Sequence, residues 1–379
     1  MIGLLVATFA AAVTAFGFGC HRLLRQKNID IWIGSYARQA LRKKPAPAIT
    51  DAYFCFVDHF EPYGGQATKE TAHRRTKNWC TQYPLMAEKH RDSAGRHPQH
   101  TYFYPEEEYD PEVLDWLSAL CRRGFGDVEI HLHHDNDTAD ALREKLMRFK
   151  RVLHERHGLL KKNPKTGEIE YGFIHGNWAL DNSRKDGRWC GVNDELSVFK
   201  TTGCYADFTL PSAPSDTQTK KINSLYFAKT GSRKPKSHNE GRDVRAGYWD
   251  EEALPIFQGP LALNWKNRKW GFFPRIENSE ISYDNLPARH RVKLWAGQRI
   301  QVEGRPDSIF IKVHTHGAQD KNQKTLFDEK YFDSLYGNLE SELCPDNGYR
   351  LHYVTAREMY EKVRHLSVGQ AQAPDGKPS

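Results

Sequence analysis

Six short apolar runs punctuate the sequence: "AYFCFVDHFEP", "TYFYP", "DVEIHLH", "YGFIHGNW", "CYADFTLP" and "SIFIKVHTHG". Helical patterns lie between several of them. The clearest starts near Thr138 and sets Leu142, Leu146, Phe149 and Leu153 on one stripe, with Gly158 placed to end it. Others are "TAHRRTKNWCTQYPLMAEKHRD", before the second run, and "LDWLSALCRRG", after it. Strands that alternate with helices imply an α/β chain, with a parallel sheet covered on both faces and either open or closed as a barrel. No internal repeat at a fixed period interrupts this order. Residues 218–285, rich in Asn, Gly, Lys and Trp, read as an insertion of loops or hairpins. A last helix is expected over Thr355 to Leu366, and residues 367–379 hold too few apolar side chains to fold.

The N-terminus differs from the rest. Met1 to Cys20 contains no charged side chain, which at about 1.5 Å per residue just crosses a hydrocarbon core of about 30 Å. Basic residues come after it, at Arg22, Arg25 and Lys27 and again at Arg38, Arg42, Lys43 and Lys44, whereas a secretory signal carries them in front. Residues 1–20 therefore read as one transmembrane helix of a single-pass membrane protein. The positive-inside rule puts the bulk of the chain in the cytosol. Residues 21–49 are expected to form a basic juxtamembrane linker, either plain or lying along the membrane surface. One folded domain is expected over residues 50–366.

Composition narrows the function. There are 55 Lys and Arg against 48 Asp and Glu, a net charge of +7 spread over most of the chain. No basic run is interleaved with stacking aromatics, so no nucleic-acid partner is expected. The seven cysteines are odd in number, scattered and without a C-x-x-C pair, which suggests neither a disulfide framework nor a zinc knuckle.

The chemistry gathers where the apolar runs end. In "VEIHLHH", Val128, Ile130 and Leu132 point to one face of a strand, while Glu129, His131 and His133 point to the other. "IFIKVHTHG" repeats this, with Ile309, Ile311 and Val313 opposite His314 and His316. Asp58, His59 and Glu61 stand at the end of the first run. Parallel α/β sheets and barrels place active sites at the carboxyl ends of their strands. Three clusters of ionisable groups at such ends need partners if buried, and a divalent transition metal, Zn2+ first, suits histidine with carboxylate.

The segments "FVDHFEP", "VEIHLHHDND", "GFIHGNW", "GCYADFTLPSA" and "FIKVHTHG", in that order, resemble a divergent branch of the polysaccharide deacetylase family of carbohydrate esterases. The resemblance runs from about Asp51 to Leu366. It implies an irregular (β/α) barrel of the glycoside hydrolase and deacetylase type, and removal of N- or O-acetyl groups from glycans with a divalent metal; the expected cytosolic placement favours a lipid-linked sugar as the substrate. It implies Asp58 as base or ligand, although His59 stands where the family has a second Asp. It also implies a second ligand pair, His133 with Asp137 or His131 with Asp135. His314 matches the late catalytic histidine, with His316 the alternative. His175, Asn177, Trp178 and Asp207 fall where the family orients substrate, and Trp178 is suited to stacking on a sugar ring.

Overall fold

The computed structural model describes residues 24–41 and 47–369 and the single positions 19 and 22. All of the expected membrane span except position 19, and residues 370–379 of the tail, lie outside the described residues. No described helix is long and apolar enough to cross a membrane.

After a short helix α1 (Ile33–Leu41), strands and helices alternate in the expected order: β1 (Thr50–His59), α2 (Lys69–Ala87), β2 (Thr101–Pro105), α3 (Pro111–Arg122), β3 (Asp127–Leu132) and α4 (Ala139–Glu155). A small strand β4 (Lys161–Lys162) pairs with β5 (Ile169–His175), and α5 (Glu195–Thr202) and β6 (Cys204–Asp207) follow. Next come β7 (Leu225–Ala228), β8 (Arg242–Asp243), β9 (Leu254–Phe257), β10 (Ala262–Lys269) and β11 (Phe273–Glu277). The chain ends with α6 (Arg289–Gly297), β12 (Ser308–Thr315), α7 (Asp320–Gln323), α8 (Tyr331–Glu342), β13 (Tyr349–Val354) and α9 (Ala356–Val368).

Local chemistry starts these helices. The Asp110 side chain accepts from the Glu112 and Val113 amides ahead of α3, and Thr138 caps α4. Thr355 and Glu358 form a capping box on α9. The stripe Leu142, Leu146, Phe149 and Leu153 is the buried face of α4.

The main sheet runs β12-β1-β2-β3-β5-β6-β9-β7-β8, and β13 also pairs with β1. Along this path all pairings from β12 through β9 are parallel, and only those of β7 with β9 and β8 are antiparallel. The segment 300–303 joins the two ends of the sheet. The Glu303 amide donates to Val244 O (2.9 Å) beside β8, and the Phe310 amide of β12 donates to Ile300 O (2.8 Å). The sheet thereby curls back on itself.

The strand period of two sorts the side chains into two layers. Ala52, Phe54 and Phe56 of β1 join Val128, Ile130, Leu132, Ile309, Ile311 and Val313 in one core with Trp79 and Tyr83 of α2 and Phe332 and Tyr336 of α8. Tyr53, Cys55 and Val57 join Phe103, Phe208, Phe257 and Phe310 on the other face, with Met359 and Tyr360 of α9.

Two expectations are corrected. Residues 218–285 do contain an expected hairpin, β10 with β11, but they are not only an insertion: β7, β8 and β9 extend the main sheet. The described part of the 21–49 segment is not a free linker. Trp32 is fully buried against Ala213, Ile222 and Leu261, and Gln39 Nε2 donates to Ile222 O at 2.8 Å. Burying an indole removes roughly 150–250 Å² of surface from water, which outweighs the solubility of the neighbouring basic residues.

Candidate metal centre

At the carboxyl ends of β1, β3 and β12 the layer alternation delivers histidines to one place. His59 continues the Tyr53, Cys55 and Val57 face, His131 the Glu129 face and His314 the Phe310 face. Their rings converge: His59 to His131 is 4.8 Å, His59 to His316 is 4.6 Å with the rings stacked, and His59 to His314 is 6.1 Å. Glu61, two residues past β1, reaches back so that its Oε1 lies 3.1 Å from His131 Nε2 and 3.5 Å from His133 Nε2. One ligand atom each from His59, Glu61 and His131 fall within 4.8 Å of one another, and all three residues are buried.

Proton placement favours a cation here. His131 Nδ1 donates to Ile174 O (2.8 Å), which leaves Nε2 as a bare lone pair facing a carboxylate oxygen. An imidazole tied to a backbone carbonyl through its other nitrogen is the usual support of a metal-bound histidine. His59 Nε2 is buried without any hydrogen-bond partner. Burial first, and then the nearby His316, His131 and His314, hold the His59 pKa well below its ordinary value, so the ring is neutral and able to ligate. Burial would raise the Glu61 carboxyl, but the histidines packed around it, His131 nearest, outweigh that and hold it at about 2, so it is a carboxylate.

The mouth of the cluster is built differently. His133 is about a third exposed, and its Nδ1 lies 2.5 Å from Glu107 Oε1. Burial opposes its protonation, yet the bond to Glu107 and the charges of Glu61 and Glu107 raise its pKa overall. Trp178, half-buried, lies 4.8 Å from His59 and 5.0 Å from His314. Asn177 and Trp178 both adopt positive φ, 53° and 62°, a backbone strain of about 1–3 kcal/mol each that the surrounding fold must hold. A cavity of about 170 Å³ lined by Asp127, Glu129 and Arg357 lies at the opposite, amino-terminal end of β3 and touches none of these histidines.

Of the residues singled out from the sequence, His59, His131, His133, His314, His316 and Trp178 assemble at this centre, and Asn177 precedes Trp178 in the chain and is half-buried. Four do not. Asp58 is odd-even opposite to His59 and faces the helical layer, where Oδ2 accepts from His100 Nε2 (2.9 Å) and Oδ1 from the Gly317 amide (2.7 Å). Asp137 binds Lys145 Nζ (2.8 Å) and lies beside His134 instead. His175 is wholly buried against His134 and Glu195, away from any opening. Asp207 is also wholly buried and accepts from Thr209 Oγ1 (2.7 Å); burial, opposed by the Thr209 bonds, pushes its carboxyl up to about 7. His314 keeps its place, and burial, then Lys312 and His316, hold its pKa well below the ordinary value, which favours the neutral ring.

Glu107 escapes a reading of strand ends by histidine and aspartate, although "YPEEEYD" puts three glutamates directly after one. Glu61 is visible at a strand end, but its role emerges only from the fold. No family model matches the chain, and no curated protein matches it. Among solved structures, one that aligns is the "crystal structure of 4-alpha-glucanotransferase from Thermococcus litoralis", at 11% identity and a TM-score of 0.43. The alignment covers 83% of this chain and 40% of that one, so this chain spans about two-fifths of that neighbour's length. At that score the likeness carries no argument about this chain's reaction.

Proposed function

We propose that this protein is a metal-dependent hydrolase that removes an acyl group, N-acetyl in the first place, from a sugar of a polysaccharide or a lipid carrier. The observation that carries the reading is the buried trio His59, Glu61 and His131, whose lone pairs converge beneath a mouth formed by His133, Glu107 and Trp178. The order of strand-end motifs, that of polysaccharide deacetylases on an irregular (β/α) barrel, supports the substrate class. Held by those three side chains, a divalent transition ion, with Zn2+ the best match to nitrogen and carboxylate donors, supplies Lewis-acid polarisation of the acyl carbonyl.

His133 moves the proton. Its Nδ1 is tied to Glu107, so Nε2 takes a proton from the attacking water and returns it to the departing nitrogen as the C–N bond breaks. Trp178 offers a ring face to the sugar, and His316 and Asn177 line the rim. Asp58 takes no part. The apolar stretch Met1 to Cys20 supports a membrane-borne, lipid-linked sugar as substrate, with the domain on the cytosolic side. A reporter fused after Ser379 tests that side.

The direct test is acetate release from acetylated chito-oligosaccharides by the metal-replete full chain. The double substitution His59→Ala/His131→Ala is expected to lose both metal and turnover, whereas His133→Ala keeps the metal and loses turnover. A metal-replete protein that releases no acetate sinks the deacetylase reading. Should it still bind the oligosaccharide, the second reading gains: a catalytically silent glycan-binding protein, favoured by the turning of Asp58 away from the cluster.

A further inference from the structure

A second group of metal-ligating side chains lies behind the first and shares no residue with it. His134 follows β3, His175 ends β5, Cys190 lies in the loop after it, and Glu195 opens α5. All four are buried, and one ligand atom from each falls within 4.8 Å of the others. His134 Nε2 lies 2.9 Å from His175 Nε2 and 2.9 Å from Glu195 Oε1, and His175 Nε2 lies 3.4 Å from that same oxygen. A tetrahedral shell with Zn–N bonds of about 2.05 Å sets its nitrogens about 3.3 Å apart, close to this spacing.

The outer contacts orient these atoms inward. His175 Nδ1 bonds to Gly176 O, so its Nε2 is bare. Glu195 Oε2 accepts from the Asp181 amide, which leaves Oε1 for the centre. The Val192 amide donates to Cys190 Sγ at 3.5 Å. His134 Nδ1 lies 3.1 Å from Asp137 Oδ2, yet off the line of a hydrogen bond.

No neutral arrangement satisfies His134. With its proton on Nδ1, three lone pairs meet at the centre. With its proton on Nε2, a bare Nδ1 faces the Asp137 carboxylate, lone pair against lone pair between two side chains no more than 5% exposed. A cation at the centre resolves the conflict, because it takes up the lone pairs of His134 Nε2, His175 Nε2 and Glu195 Oε1.

We propose that His134, His175, Cys190 and Glu195 form a structural tetrahedral site for Zn2+ or a similar transition ion, separate from the His59 centre. Binding displaces the Cys190 thiol proton to solvent and leaves no position open to substrate. Its role is mechanical. His175 and Glu195 bracket residues 176–194, Cys190 ties that loop from within, and the loop opens with Gly176, Asn177 and Trp178, so the site holds the strained wall of the first centre in place.

Sulfur sets this site apart from the first. After chelation, the full chain is reconstituted with Co2+, and its near-ultraviolet thiolate-to-cobalt absorption and metal content are measured. The wild type is expected to bind about two equivalents and to show the thiolate band. Cys190→Ser should lose the band and one equivalent, whereas His59→Ala/His131→Ala should keep the band and lose the other. Loss of metal only at the first centre therefore speaks to the proposed function and leaves this inference standing. A folded wild type that takes up Co2+ without thiolate absorption overturns it, as does a band that persists in Cys190→Ser. If Cys190→Ser does not fold, the wild-type spectrum decides alone.

Discussion

Replacing Asp58 separates the structural role of this carboxylate from the catalytic one that its position in the sequence suggests. In Asp58→Ala, His100 Nε2 and the Gly317 amide both lose an acceptor in a site with no solvent access, since Asp58 and His100 are fully buried. Removing one partner of a buried, hydrogen-bonded pair of this kind costs about 3–5 kcal/mol. Unfolding entropy is about 2.1 cal/mol/K per residue, so over roughly 320 folded residues the melting temperature should fall by about 4–7 °C. The first metal centre should survive, because none of its three ligands bonds to Asp58. Thermal melting followed by circular dichroism, together with metal content at low temperature, reads both effects. Glu61→Ala should do the reverse, losing the metal with less effect on melting. An Asp58→Ala protein that melts like the wild type but has lost its metal refutes the layer assignment on which the site is built.

Three further expectations follow from particular contacts. His90 has both ring nitrogens 3.2 Å from carboxylates, Asp333 and Glu340, which only the doubly protonated ring satisfies. Burial opposes the charge, but those bonds raise the pKa above 6.5. The folded state then holds its proton more tightly, so the stabilisation is complete below 6.5 and is lost as pH rises through the higher folded value. His90→Gln should therefore cost more at about pH 5.5 than at about pH 8.5 in urea unfolding, and a pH-independent cost would contradict this. Trp32→Ala should release α1 from the Ala213, Ile222 and Leu261 surface, with local loss of about 3–5 kcal/mol. Limited proteolysis should then cut within residues 24–41 while the main sheet and its helices stay intact. Gly176→Ala would place its Cβ 2.4 Å from His133 Cδ2 and 2.7 Å from Leu132 O, so the imidazole must move. Acetate release should drop about 10-fold or more with both metals retained, given the sensitivity of proton transfer to placement.

Periodicity carried the parts that depend on local order. The alternation of Val128, Ile130 and Leu132 against Glu129 and His131, and of Ile309, Ile311 and Val313 against His314, suffices by itself to set each histidine on the face opposite the helical core. The stripe of α4 was equally legible, because it rests on residues three or four apart. The α/β class followed from their order. Residues 218–285 were not legible as sheet, because β7, β8 and β9 are only two to four residues long and gain their stability from neighbours distant in sequence.

The sequence thus determined the strand faces, the helices and the histidine-rich ends of β1, β3 and β12. Tertiary structure decided which ionisable groups share a space. Adjacent residues on a strand point to opposite layers, so Asp58 and His59 parted company although they are neighbours in the chain. His133 and His134 parted in the same way once β3 had ended, one turning to Glu107 at the mouth and the other to Glu195 in the interior. Cys190 and Glu195 gave no local sign at all, since a group of side chains drawn from a strand end, two loops and a helix start comes together only after the chain has closed around it.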